Sequence, residues 1–331
     1  DPEQWNDYAR DQGWSDGFPL MTPTETAVER LIETCRGDNE PFPPISPRRV
    51  IPTLKSLAAN AVMAGCRPEY FPVVLAAVRA VLTPEYNLHG SLATTHPCAP
   101  MLLVNGPIRN ELEINCGSNC FGQGWRANAT IGRALQLILL NVGGAKPGEM
   151  DRSTQGSPAK YAFCFGENEE ASPWEPFHVR RGFNAEDSVV TAIPSEAPHN
   201  INDHGSNTGE GILTTIAGTI SQVGANSIYC NAPFFVVIGP EHAGTLHRDG
   251  WTIAAMQEDL FARSRVHISR VSKENQESYA GMDRPLIDDH YYLTPSPEDI
   301  HILVAGGPGK HSAYIPPFGF TEACSVRVSH I

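Results

Sequence analysis

The sequence predicts an α/β protein, with an N-terminal helical layer followed by strand–loop–helix units around a largely buried, pseudo-symmetric sheet. Three observations carry this expectation. Residues 22–82 hold three helical stretches with start and stop signals at their ends. From Ala99 onward, short apolar runs alternate with helical stretches, as in a sheet covered by helices. Gly117-Ser118-Asn119 and Gly205-Ser206-Asn207 are similar glycine-rich turns, and each precedes a helix.

The first helix is expected to start at Thr22-Pro23-Thr24-Glu25, with Thr22 as cap and Pro23 in the first turn, and to run to about Cys35. The second covers about Ile51–Ala64 and stops at Gly65; the third opens after Arg67 and covers Pro68–Leu82. Strands are expected at Met101–Asn105, Tyr161–Phe165, Ser188–Ala192, Phe234–Ile238 and Ile302–Ala305. Helices are expected at about Ala127–Val142, Thr208–Val223 and Thr252–Ser264. Residues 1–90 are expected to form the helical layer and 91–331 the α/β catalytic core, in one compact unit with no polar linker between them.

The 331 residues carry a net charge of −13 and no basic run, so a nucleic-acid backbone and an acidic membrane surface would both be repelled. No apolar run reaches the length of a membrane span, and Asp1–Gly17 has no signal-peptide core. The eight cysteines are scattered, which points to reduced thiols in a cytoplasm and not to a disulfide scaffold.

Four groups of residues have the chemistry of a site. A glycine-rich turn carrying Cys116 and Cys120 runs into the apolar helix after Ala127, so a thiol meets unpaired backbone N–H groups. Asn119, Asn128 and Thr130 lie there as candidate substrate-binding side chains. Glu167, Glu169 and Glu170 leave an apolar strand together; paired carboxylates beside an apolar wall split their pKa values and suit acid/base work or a hard cation. Glu241-His242 follows the strand ending at Ile238. Ala305–Ser312 (AGGPGKHS) resembles an anion-binding loop with Lys310 as counter-charge and His311 and Ser312 beside it. Val304 stands where the nucleotide-triphosphate pattern needs a glycine, so no nucleotide cofactor is expected. Single histidines on separate loops suggest a dispersed divalent-metal site with His96, His204, Glu170 and Glu241 as ligands.

Taken as a set, GWSDGFP, NAVMAGCRPEY, ATTHP, RANATIGRA, ENEEASPWEP, GPEHA and AGGPGKHS resemble a bacterial protein family of about this length, along nearly the whole chain. The resemblance implies a thioredoxin-like partner with a Gly-Ser-Cys motif, and with it sulfur or redox chemistry. It carries over no reaction, cofactor or catalytic residue.

The residues themselves favour a soluble hydrolase or lyase that takes a small polar or anionic molecule and works as a homo-oligomer. Glu169 and His242 would be its acid/base pair, with Lys310 and the helix near Ala127 holding an oxyanion. Two other readings compete. One is a thiol enzyme with Cys116 as nucleophile and Cys120 resolving it; the other is a non-catalytic binding or assembly subunit.

Overall fold

The computed structural model describes residues 1–38, 40–282 and 284–329. Among these the chain forms 13 α-helices and ten strands, and the α/β class is as expected. In chain order the first elements are α1 (Pro2–Asp11), α2 (Glu25–Glu33), α3 (Leu54–Ala64), α4 (Phe71–Leu82), α5 (Leu88–Leu92) and β1 (Ala99–Asn105). Then come α6 (Ile108–Glu111), α7 (Arg126–Ile138), β2 (Cys164–Gly166), α8 (Phe177–Arg180), β3 (Val189–Ser195) and β4 (His199–Asn202). The last third holds α9 (Gly209–Ile220), α10 (Asn226–Cys230), β5 (Phe234–Ile238), α11 (Pro240–Arg248), α12 (Ile253–Arg263) and β6 (Arg265–His267). It closes with α13 (Lys273–Gly281), β7 (His290–Tyr292), β8 (Ile300–Val304), β9 (His311–Ile315) and β10 (Cys324–Arg327).

Local chemistry explains most boundaries. The Thr24 hydroxyl accepts the Ala27 N–H, so Thr24 caps α2 in place of Thr22, and the helix begins at Glu25. Thr53 and Ser56 close a capping box on α3, and Gly65 ends it in the left-handed conformation. Pro68–Tyr70 is a 3-10 turn leading into α4. Asp1 caps α1 over a segment where no helix was expected, with Pro2 in its first turn.

The chain divides into two compact units. The first contains residues 1–166, 182–194 and 323–331; the second contains 167–181 and 195–322. The helical layer of residues 1–90 falls wholly in the first unit. There α3, α4 and α7 bury Leu57, Phe71, Val74 and Leu135 against the sheet β10-β3-β1-β2. The second unit holds the sheet β4-β9-β5-β8, with Ile212, Ile216, Leu246 and Leu260 of α9, α11 and α12 in its core. A two-stranded β6–β7 ribbon completes it. Among the described residues no single helix is long and apolar enough to cross a membrane; α3 with Pro68–Leu82 reaches that length only as a pair bent by 120°.

The pseudo-symmetry foreseen for one sheet is present as two sheets built alike. β1 lies parallel to β2, and β5 parallel to β8. One edge strand is antiparallel in each: β10 on β3, and β4 on β9. Each central strand ends in a Gly-Pro turn, Gly106-Pro107 after β1 and Gly239-Pro240 after β5. A Cβ on Gly106 would lie 2.1 Å from the Asp187 carbonyl oxygen, and one on Gly239 would lie 2.1 Å from that of His311. The following serine closes both turns. Ser188 Oγ accepts the Ile108 N–H at 3.1 Å, and Ser312 Oγ accepts the Gly239 N–H at 3.1 Å. Gly124-Trp125 and Gly250-Trp251 then precede the helices α7 and α12. In both units the turn after the central strand is thus packed against a carbonyl and a serine of a neighbouring segment.

Gly239 has an ordinary φ of −68°, so a side chain there meets only the steric wall. Gly239→Ala is expected to lower stability by about 2–4 kcal/mol, measured by urea denaturation. Gly244→Ala, in open space on α11, should be neutral or better.

Candidate functional site

In the second unit the loops at the carboxyl ends of β5 and β8 meet the start of β9 and the end of β4, because β9 and β4 are antiparallel partners. His242, on the first turn of α11, is buried and joins three of these segments. Its Nε2–H donates to the Asp203 carbonyl at 3.1 Å, and its Nδ1 accepts the Ser312 hydroxyl at 2.9 Å. Ser312 in turn accepts the Gly239 N–H. Both ring nitrogens are thus engaged, and the ring braces the three segments against one another. Glu241, its neighbour, is exposed.

Beneath it, Asp203 is buried; its carboxylate accepts the Ser206 N–H and the Thr215 hydroxyl, both at 2.8 Å. Burial opposes its charge, but these donors outweigh it and hold the carboxyl below the usual range.

Above this brace, His204, Lys310 and His311 come together. The two imidazoles meet edge to face at 4.9 Å between centroids. His311 Nδ1 donates to Asn200 Oδ1 at 2.9 Å, and His204 Nδ1 donates to Asn202 Oδ1. Asn200 and Asn202 stand two residues apart on β4, hence on one face of it. An acceptor on Nδ1 leaves Nε2 of each neutral ring as a lone-pair site. Lys310 Nζ donates to the His204 carbonyl at 3.2 Å, which places the ammonium on the same loop edge.

The carboxylate loop belongs to this unit as well. Asn168 donates its N–H to Val304 O at 2.7 Å and its side-chain N–H to Gly306 O at 3.2 Å, tying the loop to the end of β8. Glu167 is fully buried and accepts the Phe177 N–H at 2.8 Å. Glu169 Oε1 lies 3.9 Å from Nδ1 of the fully buried His178. Neither nitrogen of His178 makes a hydrogen bond among the described residues. Glu170 is exposed. His301 packs between Phe177 and Phe235, and Arg180 donates to the carbonyl of the next residue, Ile302. Burial, with help from Arg181 and Arg180, drives the His301 pKa down to about 3. His178, Arg180 and His301 carry no spacing signal; only the apolar residues around them hinted at burial.

The first unit holds the remaining predicted residues. Asn128, buried on α7, accepts the Asn115 N–H at 2.8 Å and donates to Asn115 O at 3.0 Å, clamping the cysteine loop. Asn119 takes a left-handed φ of 61° and bonds to Gln123 O; Thr130 bonds back to Arg126 O. All three side chains are spent on local structure. Cys116 is half-buried, with Sγ 3.7 Å from Nη1 of the buried Arg109. Burial, then Cys116, pushes Cys120 up to about 12. His96 lies between α5 and β1, its carbonyl accepting the Ser153 hydroxyl at 2.9 Å.

The four residues expected as metal ligands are divided between the units. His96 belongs to the first unit, and His204, Glu170 and Glu241 to the second. Among the described residues no three His, Cys, Asp or Glu side chains gather as a metal-binding group.

The low pKa of His301 makes stability pH-dependent. The unfolded chain takes up this proton below about 6.5, whereas the folded chain stays neutral until about 3. Stability from this residue is complete above the unfolded value and declines as pH falls between the two. His301→Phe should flatten that decline in urea titrations from pH 7 to 4, with little loss at pH 7.

Compared with protein-family models, curated proteins and solved structures, the chain matches none.

Proposed function

We propose that the chain is an acid/base enzyme, a hydrolase or lyase, that binds a small anionic molecule at the His204–Lys310–His311 edge of the second unit. The supporting observation is the pair of imidazoles 4.9 Å apart, each oriented by an asparagine of β4, with Lys310 on the same loop. Side chains locked by a second layer of hydrogen bonds suit proton transfer, because the lone pair is aimed before substrate arrives. Lys310 supplies the counter-charge for a carboxylate or phosphate. One histidine would accept a proton while the other donates.

The test is a turnover screen of p-nitrophenyl phosphate, p-nitrophenyl acetate and small carboxylate substrates, with wild type and three variants. His311→Gln and His204→Gln are expected to lower kcat by about 10²–10⁴-fold. Lys310→Ala should act chiefly on KM. Retained turnover in both histidine variants would overturn the reading.

One observation favours a second reading, thiol chemistry at Cys116: the buried Arg109 guanidinium beside its sulfur supplies the charge that a thiolate pairs with. The thioredoxin-like partner implied by the resemblance would then act on this thiol. Burial pushes Cys66, Cys120 and Cys164 up to about 12. Brief iodoacetamide treatment of the native protein should therefore label Cys116 and spare those three, as read by peptide mass spectrometry. Labelling spread evenly over the cysteines would remove this reading.

A further inference from the structure

The first unit contains a cavity of about 610 Å³ that none of the residues above explains. Its apolar wall includes Leu92, Leu139 and Leu140. The last two sit where α7 gives way to a π-helical turn, Leu139–Gly143. Such widened turns are often retained where a helix serves a site. The chain at Ile45–Ser46 crosses this turn so closely that a Cβ on Gly143 would lie 2.6 Å from Ser46 O. The rim carries Tyr161, 49% exposed and edge-on to Phe18 at 4.9 Å.

The charged groups of its wall, Asp16, Asp151 and Lys160, are each paired. Lys160 Nζ pairs with Asp151 Oδ2 at 2.7 Å, and Asp16 is held by Arg133 through two bonds of 2.7 and 2.9 Å. Burial works against the Asp151 charge, but Lys160 and the Ser153 N–H outweigh it and hold its carboxyl below the usual range. The ion pair is therefore closed. A charged ligand would give up its hydration here with no counter-charge to replace it. Gln136 also lines the cavity, and its amide nitrogen is buried without a hydrogen bond among the described residues. Rotation about the last side-chain bond brings an amide atom to the cavity at little cost.

We propose that this cavity is a binding site for an uncharged, ring-bearing small molecule with one amide or carbonyl group, the ring against Tyr161 and the leucines and the oxygen on Gln136. The volume suits such a ligand, as does a lining that sets leucine and proline side chains beside polar ones. The site lies outside the proposed acid/base edge and does not depend on it.

Methyl NMR of the full chain, titrated separately with benzamide, benzoate and benzylammonium, tests this. Benzamide is expected to shift the methyls of Leu92, Leu139 and Leu140 saturably, with both charged analogues binding at least about tenfold more weakly. Gln136→Leu should weaken benzamide about tenfold. Gln155→Trp, placed on the exposed rim where folding is not at stake, should abolish binding by filling the mouth. Three results would overturn the proposal: no saturable shift at these methyls, benzoate or benzylammonium binding as well as benzamide, or unaltered benzamide binding in both variants.

Discussion

The second unit depends on one buried chain of hydrogen bonds, from the Gly239 N–H through the Ser312 hydroxyl to His242 and on to the Asp203 carbonyl. Each donor in it finds an acceptor, so the imidazole, the hydroxyl and two backbone groups are buried without a desolvation debt. Geometry makes the chain possible. Gly239 approaches the His311 carbonyl more closely than any side chain allows, and that approach brings Ser312 within reach. Once the three loops are locked, the strand ends have no freedom to slide. His204, Lys310 and His311 then stand side by side on a rigid base.

The first unit solves the same problem with different residues. Arg109 occupies the position three after Gly106 that His242 occupies three after Gly239, and it too is buried against its own turn, donating to Gly106 O. Its guanidinium, unlike the imidazole, cannot give up its charge. The first unit therefore carries a fixed cation beside a thiol at the place where the second carries a fully bonded imidazole. A shared backbone plan thus offers two distinct chemical settings.

Much of this was legible in the residues. Phe234–Ile238 reads as a buried strand because every residue is apolar, and α9 and α12 lie within a few residues of where periodicity and caps put them. The polar residues after Ile238 and after Val304 follow the paired ends of the parallel strands β5 and β8, and Asn168 of the carboxylate loop bonds to Gly306 there. What could not be read was what each side chain does once there. His242 and His311 look alike as loop histidines, yet one is sealed by two hydrogen bonds and the other is exposed with one nitrogen fixed. Spacing cannot separate these, because the difference lies in what a distant strand places opposite each ring. The edge strands β4 and β10 were missed for a related reason. Polar residues such as His199, Asn200 and Asn202 hide a strand that has one exposed face.

The location of β10 has a consequence for how the chain comes into being. This strand closes the edge of the first unit's sheet, yet it is the last strand in the sequence, and β4, made directly after β3, goes to the other sheet. During synthesis, when domains ordinarily complete themselves in order from the amino end, the first sheet waits with an open edge at β3 until residues 324–327 have left the ribosome. The first unit begins to form early and finishes last. A nascent chain halted after the second unit would expose that unpaired edge, the form of this protein most prone to pair with a neighbouring chain.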